Sequence, residues 1–417
     1  MEPQSGFYGL GIAPNILAVI ERLNFKVPTP IQQKSIPPAL EGKDLIGIAQ
    51  TGTGKTLAFG VPLVQAALRG TRGLVVLPTR ELALQVQDTL EKLGGALRVR
   101  TALLIGGESI RRQISALRRD PQIVIGTPGR IIDHLTQRTV SLDSVGVLVL
   151  DEADRMLDMG FAPQLNRILA AVPKERQTML FSATMPQDIV NIAKANMKLP
   201  LRVEIAPSGT TVEKVTQELF VVSRPDKPRL LEQVLSQYRG SVLVFSRTKF
   251  GAKRIAASVR AMGHAAAELH ANRSLSQRRE ALDGFRNGKY RVLIATDIAA
   301  RGIDVKGIEL VVNYDLPSTA EDYVHRIGRT ARAGGTGHAI SFATPDQRGD
   351  VRGIERLIRQ VLPLSKLPAL PPHRSAPVMD QTSYEPRRPS RFQSSRPYSP
   401  RARSAGPRRF PPRRRFQ

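Results

Sequence analysis

The sequence predicts an α/β protein of two tandem domains, each built on a parallel sheet, followed by a disordered basic tail. Short β-rich runs alternate with helical patterns, as in Gly73 to Pro78 followed by Thr79 to Leu93, and that alternation calls for parallel strands covered by helices. The same arrangement then occurs twice: LVVLPTR at 74–80 is echoed by VLVFSRT at 242–248, and IVIGT at 123–127 by VLIAT at 292–296, at almost the same separation. With 417 residues, of which 41% are hydrophobic, the chain exceeds one ordinary core and fills two.

The boundaries follow from composition. APSGTTVEK at 206–214 is made of turn formers without apolar periodicity, so it reads as a linker between a first domain over 1–205 and a second over 215–363. The tail is placed at 364–417. Within it, residues 374–417 hold twelve arginines and no lysine against only Asp380 and Glu385. That stretch is rich in Pro and Ser and poor in aliphatic side chains, too poor to offset the entropy of ordering it.

Composition also excludes several classes. There are no cysteines, and the six histidines are scattered, which leaves no disulfide, thiol chemistry or thiolate zinc and favours an oxygen-bound metal. No apolar run approaches the roughly 18 residues that cross a bilayer. The opening MEPQSGFYGL has neither a positive start nor an apolar stretch, so the expected location is cytoplasmic. A formal net charge of +26 calls for a polyanionic partner. Nucleic acid is preferred to a membrane, because no basic amphipathic helix with a bulky apolar face accompanies the charge.

AQTGTGKT at 49–56 follows the strand-like DLIGI and precedes a helical stretch, the context of a phosphate cradle. Gln50, Thr51, Gly52, Thr53 and Gly54 form the loop. Its glycines let backbone N–H groups approach phosphates at a helix N-terminus, Lys55 supplies a point charge, and Thr56 offers a hydroxyl to Mg²⁺. VGVLVLDEAD at 145–154 is a buried strand ending in carboxylates. Asp151 is placed to hold Mg²⁺ through water and Glu152 to orient an attacking water; the alternative is an acidic helix start favoured by the helix dipole. Cradle and carboxylates together fit phosphoryl transfer. HRIGRTAR at 325–332 repeats arginine at a spacing of three; Arg329 and Arg332 suit developing phosphate charge, with a solvated basic face or an RNA contact as alternatives.

In this order the motifs resemble the DEAD-box RNA helicases of superfamily two over roughly residues 7–363, and most closely the bacterial RhlE-type group. NFKVPTPIQ at 24–32, PTREL at 78–82, Gly106 with Gly107, TPGR at 127–130, DEAD at 151–154, SAT at 182–184, VFSRT at 244–248, ATDIAARGID at 295–304 and HRIGRTAR carry it. As an ordered set they are specific, though PTREL or SAT alone is not.

The resemblance implies two RecA-like domains and ATP as the nucleotide. Phe7 would stack on adenine, Gln32 would read its polar edge, and Asp304 would meet the ribose. It implies RNA backbone contacts at Thr79, Arg80, Gly107, Thr127, Gly129, Arg130 and Thr296, with Ser182 and Thr184 linking ATP to RNA. Hydroxyls, arginines and glycine amides bind phosphates and 2′-hydroxyls without reading bases. The implied function is an ATP-dependent RNA helicase that closes its domains on single-stranded RNA and unwinds short duplexes locally, with possible protein partners in RNA decay or ribosome assembly.

The sequence departs from the family pattern at Asn24 and Ala331, where glycine is usual, at Ala271 in LHAN, and at Glu280, where arginine often sits. In the tail, Phe392, Tyr398, Phe410 and Phe416 among the arginines suit stacking on exposed bases, with a solubilising or protein-docking extension as alternatives. An ATP-gated RNA clamp is the rival function; Glu152 with Arg329 and Arg332 favours turnover. A DNA translocase fits the DEAD, PTPIQ and SAT combination less well.

Overall fold

A computed structural model of the protein describes residues 6–50, 52–205, 215–300, 305, 307–330 and 337–372. The first half holds β1 (Leu45–Ile48), β2 (Arg72–Val76), β3 (Thr101–Leu104), β4 (Ile123–Gly126), β5 (Val145–Leu150), β6 (Gln177–Ser182) and β7 (Leu201–Glu204), in the order β3-β4-β2-β5-β6-β1-β7. The second holds β8 (Val215–Val221), β9 (Val242–Phe245), β10 (Ala266–Leu269), β11 (Val292–Ala295), β12 (Leu310–Asn313) and β13 (Gly337–Ala343), in the order β10-β11-β9-β12-β13-β8. All the pairings are parallel.

Counted from the first strand of each half, both sheets run third, fourth, second, fifth, sixth, first; β7 is added outside β1. The sequence echoes fall on equivalent strands, β2 with β9 and β4 with β11. Two RecA-like α/β domains are thus the architecture the sequence predicts.

The inner strands are Val-, Ile- and Leu-rich and buried along nearly their whole length, whereas the edge strands β7 and β8 are partly exposed, so both faces of each sheet need cover. In the first half one face meets Ile31, Phe59, Val86 and Leu90 and the other meets Met156, Leu165 and Ile168. The helix Arg80–Gly94 shows why the covering elements form. Leu82, Val86, Leu90 and Leu93 recur at helical spacing on its buried side, and the Thr79 hydroxyl caps it by accepting the Leu82 N–H at 3.3 Å.

The sequence placed residues 364–372 in the tail, and there the structure differs. Leu364 pairs with Leu219 on the edge of β8, the Ser365 N–H donates to the Leu219 carbonyl at 2.9 Å, and Arg229 Nε donates to the Pro371 carbonyl at 2.5 Å. Edge pairing and an arginine clasp hold a proline-rich strap whose leucines, Leu364, Leu367 and Leu370, recur every three residues, a spacing that is neither the alternation of a half-buried strand nor the 3,4 pattern of a helix. The predicted linker at 206–214 and the tail from 373 onward lie outside the described residues. Among the described residues no helix is long and apolar enough to cross a membrane.

Candidate ATP and RNA sites

Parallel strands deliver their loops to one edge, and the strand order sorts them. The loops after the neighbours β5, β6 and β1 carry DEAD, SAT and the phosphate loop; those after β3, β4 and β2 carry Gly107, TPGR and PTREL. A nucleotide half and a groove half therefore share one sheet edge, touching where β5 meets β2.

In the nucleotide half, the loop enters the helix Lys55–Leu68 through Gly52 at φ +87° and Gly54 at φ +94°, a left-handed backbone that glycine adopts at little cost. Lys55 Nζ is buried and makes no hydrogen bond, with Asp151 Oδ1 3.9 Å away. A buried ammonium without a hydrogen-bond acceptor fits a site for phosphate oxygens. Burial, against the Lys55 charge, pushes the Asp151 carboxyl up to about 6, and the neighbouring Glu152 adds to the rise. Glu152 sits at the start of the helix Ala153–Asp158 with φ +51°, 5% exposed; such backbone strain in a non-glycine residue often marks a functional position.

Among the described residues no group of three or more His, Cys, Asp or Glu side chains could hold a metal ion. Thr56 and Asp151 supply only a hydroxyl and a carboxylate. That donor set fits Mg²⁺, which completes its shell with nucleotide phosphates and water, and does not fit a metal caged by protein alone.

The two expected base contacts, Phe7 and Gln32, are both buried. Phe7 is 4% exposed and packs into the core with Ile16, Ile20 and Ile31, although it also lines a cavity of about 310 Å³ with Tyr8, Asn24, Phe25 and Lys26. The more exposed rings of that cavity are Tyr8 and Phe25. Asn24, found where glycine is usual, adopts φ +61°, a conformation asparagine tolerates better than most residues.

Gln32 is buried with both ends of its amide engaged: Oε1 accepts the Thr29 N–H at 2.8 Å, and Nε2 donates to the Gly54 carbonyl at 3.0 Å. A Cβ on Gly54 would lie 2.4 Å from that Nε2. Gln32 therefore braces the phosphate loop. Gln32→Ala is expected to weaken ATP and GTP alike by about tenfold, since it frees a loop that touches phosphates common to both. Nucleotide titrations that showed ATP alone weakened would return Gln32 to base reading.

Gln50 closes the loop by accepting the Thr53 hydroxyl proton at 2.8 Å. Thr51, Asp304 and Arg332 lie outside the described residues.

Asp154, the last letter of DEAD, is a residue that the motif reading left without a role. Its Oδ2 accepts from the Ala183 N–H at 3.2 Å, the Thr184 N–H at 2.9 Å and the Thr184 hydroxyl at 2.8 Å, while its own N–H donates to Ser182 Oγ at 3.3 Å. The carboxylate thus fastens SAT to DEAD. Asp154→Asn is expected to retain nucleotide binding and to lose about tenfold in RNA-stimulated turnover, as charge-assisted bonds worth roughly 1.5–3 kcal/mol each become mismatched amide contacts. Normal stimulation in stopped-flow phosphate-release measurements would contradict that role.

In the groove half, Thr79, Arg80, Thr127, Gly129 and Arg130 line a cavity of about 400 Å³, together with Ala271, Arg278 and Ile298 of the second half. Gly106 also lines it, and the Arg80 guanidinium lies directly against Gly106 and Gly107. Burial first, then the Arg278 charge, draws the Arg80 guanidinium below its ordinary range; Glu81 opposes this and Arg130 adds to it. Converging guanidinium groups form a site for a polyanion. Thr296 caps the turn after β11, its carbonyl accepting the Ala299 and Ala300 N–H groups.

Ion pairs cross between the halves. Arg155 meets Asp322 at 2.8 Å, Arg278 meets Glu81 at 3.0 Å and Arg279 meets Glu108 at 2.9 Å. Arg278 thus supplies an interdomain contact despite Glu280, which turns instead to Lys289 and Tyr290. Arg329 is 3% exposed, donates from Nε to the His325 carbonyl at 3.2 Å, and lines the cleft that Arg155 enters. Arg326 is the structural anchor there, gripping Asp297 with Nε at 2.5 Å and Nη2 at 2.7 Å.

The profile of the DEAD/DEAH box helicase family matches residues 29–192, and that of the helicase conserved C-terminal domain matches residues 226–334. The DEAD-box ATP-dependent RNA helicase CshA of Geobacillus kaustophilus is 45% identical over 368 residues, spanning 87% of this chain and 79% of that protein. The ATP-dependent rRNA helicase rrp3 of Sclerotinia sclerotiorum is 44% identical over 349 residues, spanning 82% and 72%. Among solved structures, S. cerevisiae Dbp5 bound to RNA and ADP BeF3 superposes with a TM-score of 0.79 at 29% identity, covering 87% of this chain and 96% of that one. Mss116p bound to ssRNA and AMP-PNP gives 0.81 at 28% identity, covering 88% and 81%. With the phosphate loop, DEAD, SAT and the arginine-lined groove on one sheet edge and a repeated domain set against them, this chain belongs to the DEAD-box family of ATP-dependent RNA helicases.

Proposed function

We propose that the chain is an RNA-dependent ATPase that closes its two domains on single-stranded RNA and locally unwinds short duplexes. The observation that carries this reading is the cavity shared by Thr79, Arg80, Thr127 and Arg130 of one domain with Ala271, Arg278 and Ile298 of the other, on the same sheet edge as the phosphate loop. A site lined from both domains is complete only when they meet. Bound strand and closed domains then stabilise one another.

Within the nucleotide half, Lys55 neutralises the terminal phosphates and the loop amides from Gln50 to Thr56 cradle them. Glu152 accepts the proton of the attacking water. Bound to Thr56 and, through water, to Asp151, Mg²⁺ would offset the charge on the phosphates. Arg329 and Arg332 come from the second domain toward the developing charge, and Asp304 toward the ribose. On the RNA side, Thr79, Arg80, Gly107, Thr127, Gly129, Arg130 and Thr296 hold the backbone, while Asp154 couples them to the nucleotide through Ser182 and Thr184.

The finer assignments follow from composition and motif order. A short helicase core with an arginine-rich extension suits the RhlE-type group, a cytoplasmic location, and protein partners in RNA decay or ribosome assembly. The twelve arginines of 374–417 suit a second contact to RNA phosphates.

A strand-displacement assay tests the activity. With ATP the protein is expected to release one strand of a short RNA duplex, and a duplex of several helical turns is expected to resist, because separation is local. Equal displacement of both, or displacement without any nucleotide, would contradict local unwinding by domain closure.

A further inference from the structure

Gln113 lies on the helix Ile110–Leu117, outside every motif, yet it is 3% exposed and both ends of its amide are engaged. Nε2 donates to the Ile105 carbonyl at 2.8 Å, so Oε1 points the other way, accepting from Arg130 Nη1 at 3.2 Å and lying 3.0 Å from His134 Nε2. Flipping the amide would set N–H groups against a guanidinium and a carbonyl oxygen against another carbonyl. Since Oε1 can only accept, His134 carries its proton on Nε2, and Nδ1 accepts from the Thr139 hydroxyl at 2.7 Å. Burial, then the Arg130 charge, holds the His134 pKa below its ordinary value, consistent with a neutral imidazole.

This network joins two separate parts of the groove. Ile105 immediately precedes Gly106 and Gly107, and Arg130 ends TPGR. Arg130 is also held by the Glu108 carbonyl at 3.3 Å and by Asp133 at 3.4 Å, but the Asp133 side chain is 57% exposed; Gln113 is its buried side-chain partner. We infer that Gln113 is a positioning residue that fixes the Gly106–Gly107 loop and Arg130 in one register for an RNA backbone, with His134 and Thr139 locking its amide. The inference rests on the reading of Gly107 and Arg130 as RNA contacts.

The test is a double-mutant cycle, read as the affinity of the full chain for a labelled single-stranded RNA in the presence of AMP-PNP. Arg130→Ala is expected to weaken binding about tenfold and Gln113→Ala about fivefold, and the double variant should stay within about twofold of Arg130→Ala, because Gln113 acts through the arginine. Gln113→Glu keeps an acceptor for both Arg130 and His134 but loses the N–H that holds the Ile105 carbonyl, so it is expected to recover only part of the loss, which a generic packing defect would not do. If thermal melting shows that Gln113→Ala has lost its fold, the same cycle with Gln113→Met, which keeps the side-chain length, decides. Losses that multiply in the double variant would overturn the positioning role. An Arg130→Ala protein that binds RNA normally would instead overturn the groove reading beneath it.

Discussion

Glu152→Gln is expected to bind ATP and RNA and to turn ATP over at least about 100-fold more slowly, the usual consequence of removing a general base. Binding survives because its determinants lie elsewhere. Lys55 and the loop braced by Gln32 remain, and glutamine bears the same left-handed backbone at 152 with a side chain of the same size. What disappears is a proton acceptor. The carboxylate sits where β5 ends and the helix Ala153–Asp158 begins, next to a buried Asp151 that faces Lys55. Asp151 therefore does not replace it, because its own carboxyl is committed to the cation side of the site. A rapid-quench measurement of a single turnover isolates this step from product release. A chemical step within threefold of the wild type would move the base to another group.

Much of this site was legible in the sequence because its parts are local. The phosphate loop, DEAD and TPGR each follow a buried strand by a few residues, and a parallel fold brings such loops to one edge whatever the strand order. The echo between 74–80 and 242–248 likewise predicted a repeat, which the structure extends to the same order of the first six strands in each half. The tertiary pairings were not legible. Arg155 and Asp322 are 167 residues apart, and no spacing rule connects them. Phe7 shows the converse limit: the sequence offers an aromatic but does not say how deeply it is buried, and the core around Ile16 and Ile31 shows that. For Gln32 and Gln113, chemistry alone allowed many partners, and only the backbone carbonyls of Gly54 and Ile105 settle which way each amide faces.

Those long-range pairs give closure its physical basis. Arg155 and Asp322 are 4% and 14% exposed at their side chains, and Arg278 meets a Glu81 that is 4% exposed. Desolvation offsets much of the attraction in such buried pairs, so they are poor sources of overall stability. Their consequence is geometric: when the halves meet, they set Arg329 in the cleft beside the DEAD helix and Arg278 in the cavity with Arg80 and Arg130. RNA bound across the cavity and ATP bound at the loop favour the same closed arrangement, so each strengthens the other.

Steady-state ATP turnover with and without single-stranded RNA therefore tests the central claim most directly. A site split between two domains predicts slow turnover alone and stimulation of about tenfold or more at saturating RNA, within the range of ordinary coupling free energies. The RNA needed for half-maximal stimulation should fall as the nucleotide site fills. Turnover that is unchanged by RNA at every nucleotide concentration would contradict the account.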